Sequence, residues 1–345
     1  MEEKKVPQSI RALDMFCGAG GSSVGARAAG ADLVAAIDMW PLAKTTYIDN
    51  FPDARFYRRK LEHVSPRQVL KEVGPIDLLL ASPECTNHTC AKGKGERSED
   101  SRKTAFHVTR FARALKPHWI VVENVVQMKS WKRYDEWLSR LRRLGYCVRE
   151  QTLNAAQFGV PQARRRLFII CERGKMPPQV NPPANLDLQK ASEVVSSNGN
   201  FRFSQLRKEK RAENTIARAD RAIAKIGETE PFLIVYYGSD AAGGWQRLDA
   251  PLRTVTTLDR FAYVRRNGHG HEMRMLQVPE LKRAMGFPDT YKLEHGTRRE
   301  KIKLLGNAVC SPVMKAIVTT ITADVRAIHS PPQREASPAN ESVQI

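Results

Sequence analysis

The chain has 345 residues, 41% of them hydrophobic and 27% charged, which is typical of a globular protein of about two domains and excludes a mainly disordered chain. No apolar run approaches the roughly 18 residues of a membrane span, and residues 1–6 lack the apolar core of a secretory signal. We therefore expect a soluble, cytoplasmic protein. The net charge of +19 favours a polyanionic partner, either nucleic acid or an acidic membrane surface, over an ordinary basic surface. The six cysteines show no CxxC pair and no Cys/His metal spacing, so we expect reduced thiols and no metal.

Short apolar runs alternate with amphipathic stretches in the first half of the chain. The apolar runs predict strands at residues 12–16, 33–37, 76–81, 119–122, 146–152 and 166–171. Helical spacing between them predicts helices at residues 21–29, 41–50, 105–115 and 134–144. This alternation is typical of a parallel α/β sheet with right-handed crossovers.

The composition changes after residue 171. A proline-rich stretch at 176–183 is typical of a linker, and the basic stretch 203–226 predicts one or two helices. A strand at 232–238 and a glycine-rich loop at 239–245 follow. Helices at 276–285 and 312–328 complete the predicted elements, and the polar tail beyond residue 330 is expected to be disordered.

A glycine turn follows the first predicted strand, in Asp14-Met-Phe-Cys-Gly-Ala-Gly-Gly21. Glycines there let the backbone approach a nucleotide-like ligand, and the next helix supplies N–H donors. Asp38 comes 20 residues after Gly18, at the end of the second strand, where a carboxylate can bind a ribose. Met39 and Trp40 follow directly, and stacking on an adenine and packing in the core are equally compatible with them. The spacing alone does not separate a dinucleotide from S-adenosylmethionine.

Two further polar segments follow buried strands, where α/β sheets place active sites. Ser82-Pro-Glu-Cys-Thr86 carries a cysteine and is followed by residues 90–103, which hold five lysines and arginines and suit a lid over phosphates. Glu123 and Asn124 follow the next strand, and a desolvated carboxylate there has a raised pKa and could exchange a proton near neutrality. A helix cap is the alternative role for Glu123.

An arginine-rich segment, Gln162-Ala-Arg-Arg-Arg166, forms the fourth site. In an extended chain Gln162, Arg164 and Arg166 point the same way because the side-chain period is two. Two guanidiniums on one face can clamp phosphates or a base carbonyl, although a solvated face is equally compatible.

Together, these segments resemble the DNA (cytosine-5) methyltransferases, of the prokaryotic or phage type. Phe16-x-Gly-x-Gly-Gly21 looks like the cofactor motif, Pro83-Glu-Cys-Thr86 replaces Pro-Pro-Cys-Gln, and Glu123-Asn-Val125 and Gln162-x-Arg-x-Arg166 match directly. Segments 251–255, 276–291 and 306–309 resemble later motifs. The resemblance covers about residues 10–325 and implies a Rossmann-like S-adenosylmethionine-dependent methyltransferase fold with a small target-recognition domain.

The resemblance also implies roles for individual residues. Cys85 is the nucleophile, Glu123 binds the cytosine ring, and Arg164 or Arg166 binds the ring carbonyl or adjacent phosphates. The residues implied in S-adenosylmethionine binding are Phe16, Gly18, Gly20, Asp38, Met39, Trp40, Asn307 and Val309. S-adenosylhomocysteine is the product. The residues expected to contact DNA are Lys92, Lys94, Arg97, Arg207, Arg211 and Trp245, the last of which either fills the gap left by the flipped base or packs.

The domain division follows from the same motifs. We expect a flexible arm (1–9), a catalytic and cofactor-binding domain (10–174), a target-recognition region (175–250), the rest of that region with the return to the catalytic domain (251–329), and a disordered tail (330–345). The partner is double-stranded DNA, with a possible cognate restriction enzyme and no membrane. We expect a monomer or weak dimer associated with the nucleoid. The small recognition region predicts a short recognition sequence or loose specificity.

Several departures from the family pattern leave other functions open. Glu84 beside Cys85 should raise the thiol pKa, so thiolate formation would depend on nearby cations or on His88. Thr86 replaces the usual glutamine, Cys310 lies in a usually proline-rich turn, and Lys60 stands where an acidic residue often binds the adenine amino group. The alternatives are an RNA (tRNA) cytosine-5 methyltransferase and a non-catalytic DNA-binding relative. A nicotinamide-dependent oxidoreductase would leave Cys85, Glu123 and the arginine motif without a role.

Overall fold

The computed structural model describes residues 9–83, 104–197, 201–238 and 243–324. Its strands are Ile10–Met15 (β1), Ala31–Ile37 (β2), Arg55–Tyr57 (β3), Leu78–Ala81 (β4), Trp119–Asn124 (β5), Tyr146–Asn154 (β6), Gln162–Ala163 (β7), Arg165–Arg173 (β8), Ser204–Gln205 (β9), Phe232–Val235 (β10), Trp245–Arg247 (β11), Leu252–Arg253 (β12), Phe261–Asn267 (β13) and Gly270–Met275 (β14). Its α-helices are Gly21–Ala28 (α1), Pro41–Asn50 (α2), Pro66–Val73 (α3), Phe106–Leu115 (α4), Tyr134–Arg143 (α5), Glu213–Ile226 (α6), Val278–Ala284 (α7), Arg298–Asn307 (α8) and Ser311–Ile321 (α9).

The central sheet has seven strands in the order β3-β2-β1-β4-β5-β8-β6. The first five are parallel, as predicted, but β8 runs antiparallel to both β5 and β6. The predicted parallel arrangement is therefore wrong only for β8, at this edge of the sheet. Residues 155–164 between β6 and β8 hold only a 3₁₀ turn and the two-residue β7, so they contain no helix to carry the chain back across the sheet.

Helices cover both faces of the central sheet because its inner strands are apolar on both sides. Successive residues of β4 divide between two core clusters: Leu78 and Leu80 belong to one, and Leu79 to the other. The first cluster includes α1, α2 and α9, and the second includes α3, α4 and α5. The stretch Arg298–Ile321 is long and apolar enough to cross a membrane, but 67% of its most apolar window is buried inside the protein, as in an ordinary core helix.

A second, five-stranded sheet has the order β11-β10-β13-β14-β9 and is antiparallel. Helix α6 packs on one face through Ala219 and Ala222, and the other face joins the first core cluster through Leu233 and Tyr263. The predicted helices over 203–226 are only half correct, because residues 204–205 form β9 and the helix begins at Glu213. Strands β13 and β14 were not predicted, although Asn267-Gly268 between alternating residues is a strong hairpin signal.

A short parallel pair joins the two sheets in space. Leu252 of β12 pairs with Gln162 of β7, and Arg253 pairs with Ala163. The second sheet takes strands from both sides of residue 250, since β13 and β14 follow the expected boundary of the recognition region. The segment that returns from the second sheet therefore lies against the arginine motif.

Candidate active site

A cavity of about 670 Å³ opens at the carboxyl ends of the central strands. Residues that directly follow four strands meet there: Phe16 after β1, Asp38 after β2, Ser82 after β4, and Glu123 at the end of β5. Arg164 and Arg166 of the arginine motif line the same cavity. The cavity therefore brings together these five segments, from Phe16 to Arg166, which are up to 150 residues apart in the chain.

The glycine turn forms one wall of the cavity. Phe16 and Gly18 both have left-handed backbone angles (φ 58° and 50°), and a Cβ added at Gly18 would meet nothing within 4 Å. The Gly18 N–H donates to Asp38 Oδ2 (2.9 Å), and Asp38 Oδ1 accepts from the Trp40 N–H (2.8 Å). Gly20 is not among the lining residues, because its α-carbon faces Tyr47 and Tyr291 in the core, and Gly21 lines the cavity instead.

The adjoining wall comes from the C-terminal segment, since Val309 lies directly against Gly21 of the glycine turn. Asn307 and Val309 line the cavity, as does Lys303, whose Nζ lies 5.0 Å from the centroid of the Trp40 ring. Met39 also lines the cavity and is largely exposed. An open glycine cradle, a carboxylate and an indole ring on one side of a cavity suit a nucleoside such as the adenosine of S-adenosylmethionine.

A buried polar cluster supports the glycine turn from below. Asp14, at the end of β1, is fully buried, and its Oδ2 accepts from Ser23 Oγ (2.6 Å), which also contacts the Tyr47 hydroxyl (2.7 Å). Asp14 Oδ1 has no hydrogen-bond partner within the described part of the chain. Burial is the largest cause that raises the pKa of Asp14 from 3.8 to about 7, and the nearby charge of Asp38 adds to it.

In the wild type, Asp14 should make the free energy of unfolding fall as the pH rises, and we expect Asp14→Asn to abolish this fall. The pKa of Asp14 is raised in the folded state, so the unfolded chain releases this proton first, and the free energy of unfolding should fall between about pH 4 and pH 7. The variant should be about 2 kcal/mol more stable than the wild type at pH 8 and no more stable at pH 4. Urea unfolding at several pH values measures this, and parallel pH profiles for the two proteins would contradict it.

Glu123 lies against Arg166 in the floor of the cavity. Its Oε1 is 3.1 Å from Arg166 Nε, and the two side chains are 8% and 18% exposed. Burial is the largest influence on Glu123 and raises its pKa above the ordinary value, although Arg166 and Arg164 act in the opposite sense. Asn124 donates from Nδ2 to the Pro83 carbonyl (3.1 Å), which ties the end of β5 to the chain leaving β4. A carboxyl group with a raised pKa thus lies beside a fixed cation.

Arg164 has a structural task that the sequence did not indicate. It is 3% exposed, and its guanidinium donates to the carbonyls of Val255 (2.9 Å), Gly306 (2.9 Å) and Ala308 (3.1 Å). The predicted alternation is confirmed, since Arg164 is buried while Ala163 and Arg165 are exposed. However, the two guanidiniums do not clamp one group: Arg164 joins three main-chain segments, and Arg166 pairs with Glu123.

We expect Arg164→Lys to cost about 2 kcal/mol of folding stability. A lysine keeps the charge but lacks the planar fork that reaches three carbonyls, so buried acceptors lose their donors. Because two of those carbonyls flank Asn307, binding of S-adenosylhomocysteine should weaken as well. Chemical unfolding and calorimetric titration measure the two effects. Arg113→Lys, a matched change at an exposed position of α4, should alter neither.

The structure leaves part of the predicted site outside the described residues. The predicted residues that lie outside the described part of the chain are Glu84, Cys85, Thr86, His88, Lys92, Lys94 and Arg97. Of the other predicted DNA contacts, Arg207 pairs with Asp220, and Arg211 donates to Ser204 Oγ (2.9 Å) and to the carbonyls of Gln205 and Leu206. Trp245 is half-buried and packs against the cluster beneath α6.

Several cavity residues were not assigned to the site from the sequence. Lys60, noted only as a departure from the family pattern, lines the cavity and lies 3.8 Å from Glu62. The others with side chains suited to polar contacts are Ser22, Arg59, Glu62, Thr104, His107 and Lys303. Lys303 lies one helical turn before Asn307, so helical spacing from the Gly306-Asn307 motif was a usable signal. His107 had no comparable signal, because only the fold places the start of α4 beside the cavity.

The geometry agrees with comparisons with known proteins. A family model described as C-5 cytosine-specific DNA methylase matches residues 10–323. The chain belongs to this family. The match extends from the first residue of β1 to just beyond α9, so it includes both sheets and every described part of the cavity.

Individual relatives in this DNA methylase family agree. The Type II methyltransferases M.HaeII of Haemophilus aegyptius and M.HhaI of Haemophilus parahaemolyticus are each 26% identical to the chain, over 90% of it and over 92% and 94% of their own lengths. M.AgeI of Thalassovita gelatinovora is 32% identical over 170 residues, but the match covers only 39% of that protein.

Solved structures share the fold. The Entamoeba histolytica methyltransferase EhMeth aligns over 92% of this chain and 99% of its own with a TM-score of 0.68 and 16% identity. The S. pombe Dnmt2 methyltransferase aligns over 92% and 99% with a TM-score of 0.63 and 17% identity. The predicted Rossmann-like methyltransferase fold is therefore confirmed.

Proposed function

We propose that this protein is an S-adenosylmethionine-dependent DNA (cytosine-5) methyltransferase that works through a covalent adduct with Cys85. The observation that carries the proposal is the pairing of buried Glu123 with Arg166 in the same cavity as the glycine turn and Asp38. A proton donor for a pyrimidine ring and a nucleoside cradle thus share one space. The Type II methyltransferases among the relatives favour DNA over RNA as the substrate.

The cavity residues suit the nucleoside end of the methyl donor. The open cradle at Gly18 and the ring of Trp40 would accommodate the nucleoside, Asp38 would accept a hydrogen bond from its ribose, and Asn307 and Val309 would complete the adjoining wall. When bound, S-adenosylmethionine supplies an electrophilic methyl group on a positively charged sulfur. The protein's task is to hold the acceptor carbon against that methyl group and to exclude water.

The protein residues then activate the cytosine. Cys85, as thiolate, adds through Sγ to carbon 6, and the electron pair displaced from the 5,6 double bond makes carbon 5 nucleophilic enough to take the methyl group. Glu123 donates its proton at ring N3 and accepts from the exocyclic amine, which stabilises the adduct. Arg166 holds Glu123 and binds the ring carbonyl. Loss of the carbon-5 proton to a base or water and elimination of Cys85 restore the double bond.

The target cytosine must leave the duplex for this chemistry. Glu123 is buried at the floor of the cavity, so an intact stacked base pair cannot reach it, and the base enters only when flipped out. We infer double-stranded DNA as the substrate class on this ground together with the net charge of +19.

Covalent trapping on DNA that contains 5-fluorocytosine tests the proposal. Fluorine at carbon 5 cannot leave as a cation, so the adduct with Cys85 persists after methyl transfer and can be isolated under denaturing conditions. We expect a trapped complex with the wild type and none with Cys85→Ala. A trapped complex on transfer RNA and none on DNA, or no complex on either, would overturn the proposal.

A further inference from the structure

The arginines of the second sheet are largely committed to partners within the protein. Their side chains form ion pairs that offset their charge, which leaves them less available for an external anion. These pairs are Arg207–Asp220, Arg247–Asp249, Arg265–Glu272, Arg266–Glu228 and Arg274–Glu280. Arg260 donates to the Tyr236 carbonyl (2.9 Å) and Arg221 to the Gly243 carbonyl (3.0 Å). The basic composition of this region therefore overstates the charge that it offers to DNA.

Two arginines at the junction of the sheets differ from these. Arg165 opens β8 and is exposed, and Arg253 of β12 is half-exposed. Arg253 pairs in register with Ala163, and Arg165 lies two residues beyond Ala163 on the same outward side. Among the described residues, neither guanidinium has a carboxylate or carbonyl partner. The outer side of the junction, where the β7–β12 pair meets the start of β8, thus presents two cations without a carboxylate or carbonyl partner among the described residues.

This arrangement is electrostatically unfavourable in the free protein. Like charges held at one junction repel each other, and neither arginine forms an ion pair with an acid of the described residues. The same place is close to the reaction site, because Arg166 Nη1 donates to the main-chain oxygen of Arg165 (2.8 Å) while its Nε lies beside Glu123. Thr254 Oγ1 donates to the Ala163 carbonyl (2.9 Å), which holds the strand of Arg253 against that of Arg165.

We propose that Arg165 and Arg253 form a phosphate-binding pair for the backbone of the DNA substrate, at the junction of the two sheets and outside the cavity that holds the flipped base. The inference rests on the proposed function and adds a site to it. Planar guanidiniums suit phosphate oxygens, and one DNA backbone has a phosphate at every nucleotide, so two arginines on the same side of one junction can engage the same strand. Phosphate contacts beside the flipping site fix the register of the duplex without reading its sequence.

The salt dependence of DNA binding tests the pair. Fluorescence anisotropy with a labelled duplex, at salt concentrations from 50 to 300 mM, gives the slope of log K against log salt for Arg165→Gln, Arg253→Gln and the double variant. Each phosphate contact contributes about −0.9 to that slope. We expect each single variant to lower its magnitude by about 1 and the double variant by about 2. Arg113→Gln, which removes the same charge from an exposed position of α4, should leave the slope unchanged.

Melting temperatures separate the possible outcomes. Melting temperatures of the Arg165→Gln and Arg253→Gln variants should equal that of the wild type or exceed it slightly, because a repulsion is removed; a fall would indicate a structural role and overturn the proposal. Slopes equal to that of Arg113→Gln would also overturn it. The salt titrations measure DNA binding and need no methyl transfer. A failure of 5-fluorocytosine trapping would therefore refute the proposed function without changing the result for the phosphate-binding pair.

Discussion

Glu123→Gln should lower the rate of methyl transfer by about 100- to 1,000-fold while the protein remains folded and binds S-adenosylhomocysteine within about threefold of the wild type. Glutamine retains the shape and one hydrogen-bond donor, but it cannot give a proton to ring N3. Burial raises the pKa of Glu123, so its protonated form persists to a higher pH than that of an exposed glutamate. Wild-type activity should therefore decline as the pH rises through that raised value.

The pH profile distinguishes this role from a structural one. In Glu123→Gln the alkaline decline that Glu123 causes should be absent, because no proton is lost there. Folding stability above neutral pH should be equal or higher, since the variant removes a carboxylate whose ionised form burial disfavours. Single-turnover rates from pH 5 to 9 measure the effect, with exposed Glu294→Gln as the matched control. An unchanged alkaline decline in Glu123→Gln would remove Glu123 from the mechanism.

Gly306→Ala should destabilise the protein by at least about 3–4 kcal/mol and abolish cofactor binding. A Cβ at Gly306 would lie 2.5 Å from Thr257 N and closer still to the main chain of Thr256, so a backbone must move. Gly306 also accepts a hydrogen bond from Arg164 and precedes Asn307 in the cavity wall. Moving α8 away from residues 256–257 therefore displaces the wall that holds the methyl donor.

A matched glycine provides the control. A Cβ at Gly268, in the turn between β13 and β14, would meet nothing within 4 Å, so Gly268→Ala should change stability by less than about 0.5 kcal/mol. Thermal unfolding with and without S-adenosylhomocysteine measures both variants. If Gly306→Ala melted with the wild type and kept its ligand-induced stabilisation, the close approach of α8 to residues 256–257 would not matter.

The elements that short-range spacing could predict were predicted well. Helix α2 begins and ends where the apolar spacing and Pro41 predict, at Pro41–Asn50, and β1 and β5 lie within two residues of their expected bounds. The glycine turn, Asp38 and Glu123 all follow strands whose carboxyl ends share one edge, which is why their meeting in one cavity was predictable. The failures have other causes. Strand β8 reverses direction because residues 155–164 contain no crossover helix, and the β13–β14 hairpin was missed although Asn267-Gly268 is a local signal for it.

The sequence by itself determined the family, because its ordered motifs identify a chemistry, and it determined that Gln162, Arg164 and Arg166 share one side of the chain, because strand periodicity is a local property. Only the tertiary structure decided what each guanidinium does. The partners of Arg164 lie 91, 142 and 144 residues away, and Arg166 meets Glu123 across a strand pair. Hydrogen bonds and ion pairs form only when two atoms lie within a few ångströms of each other. The spacing of residues along the chain does not give that distance when the two residues belong to separate segments.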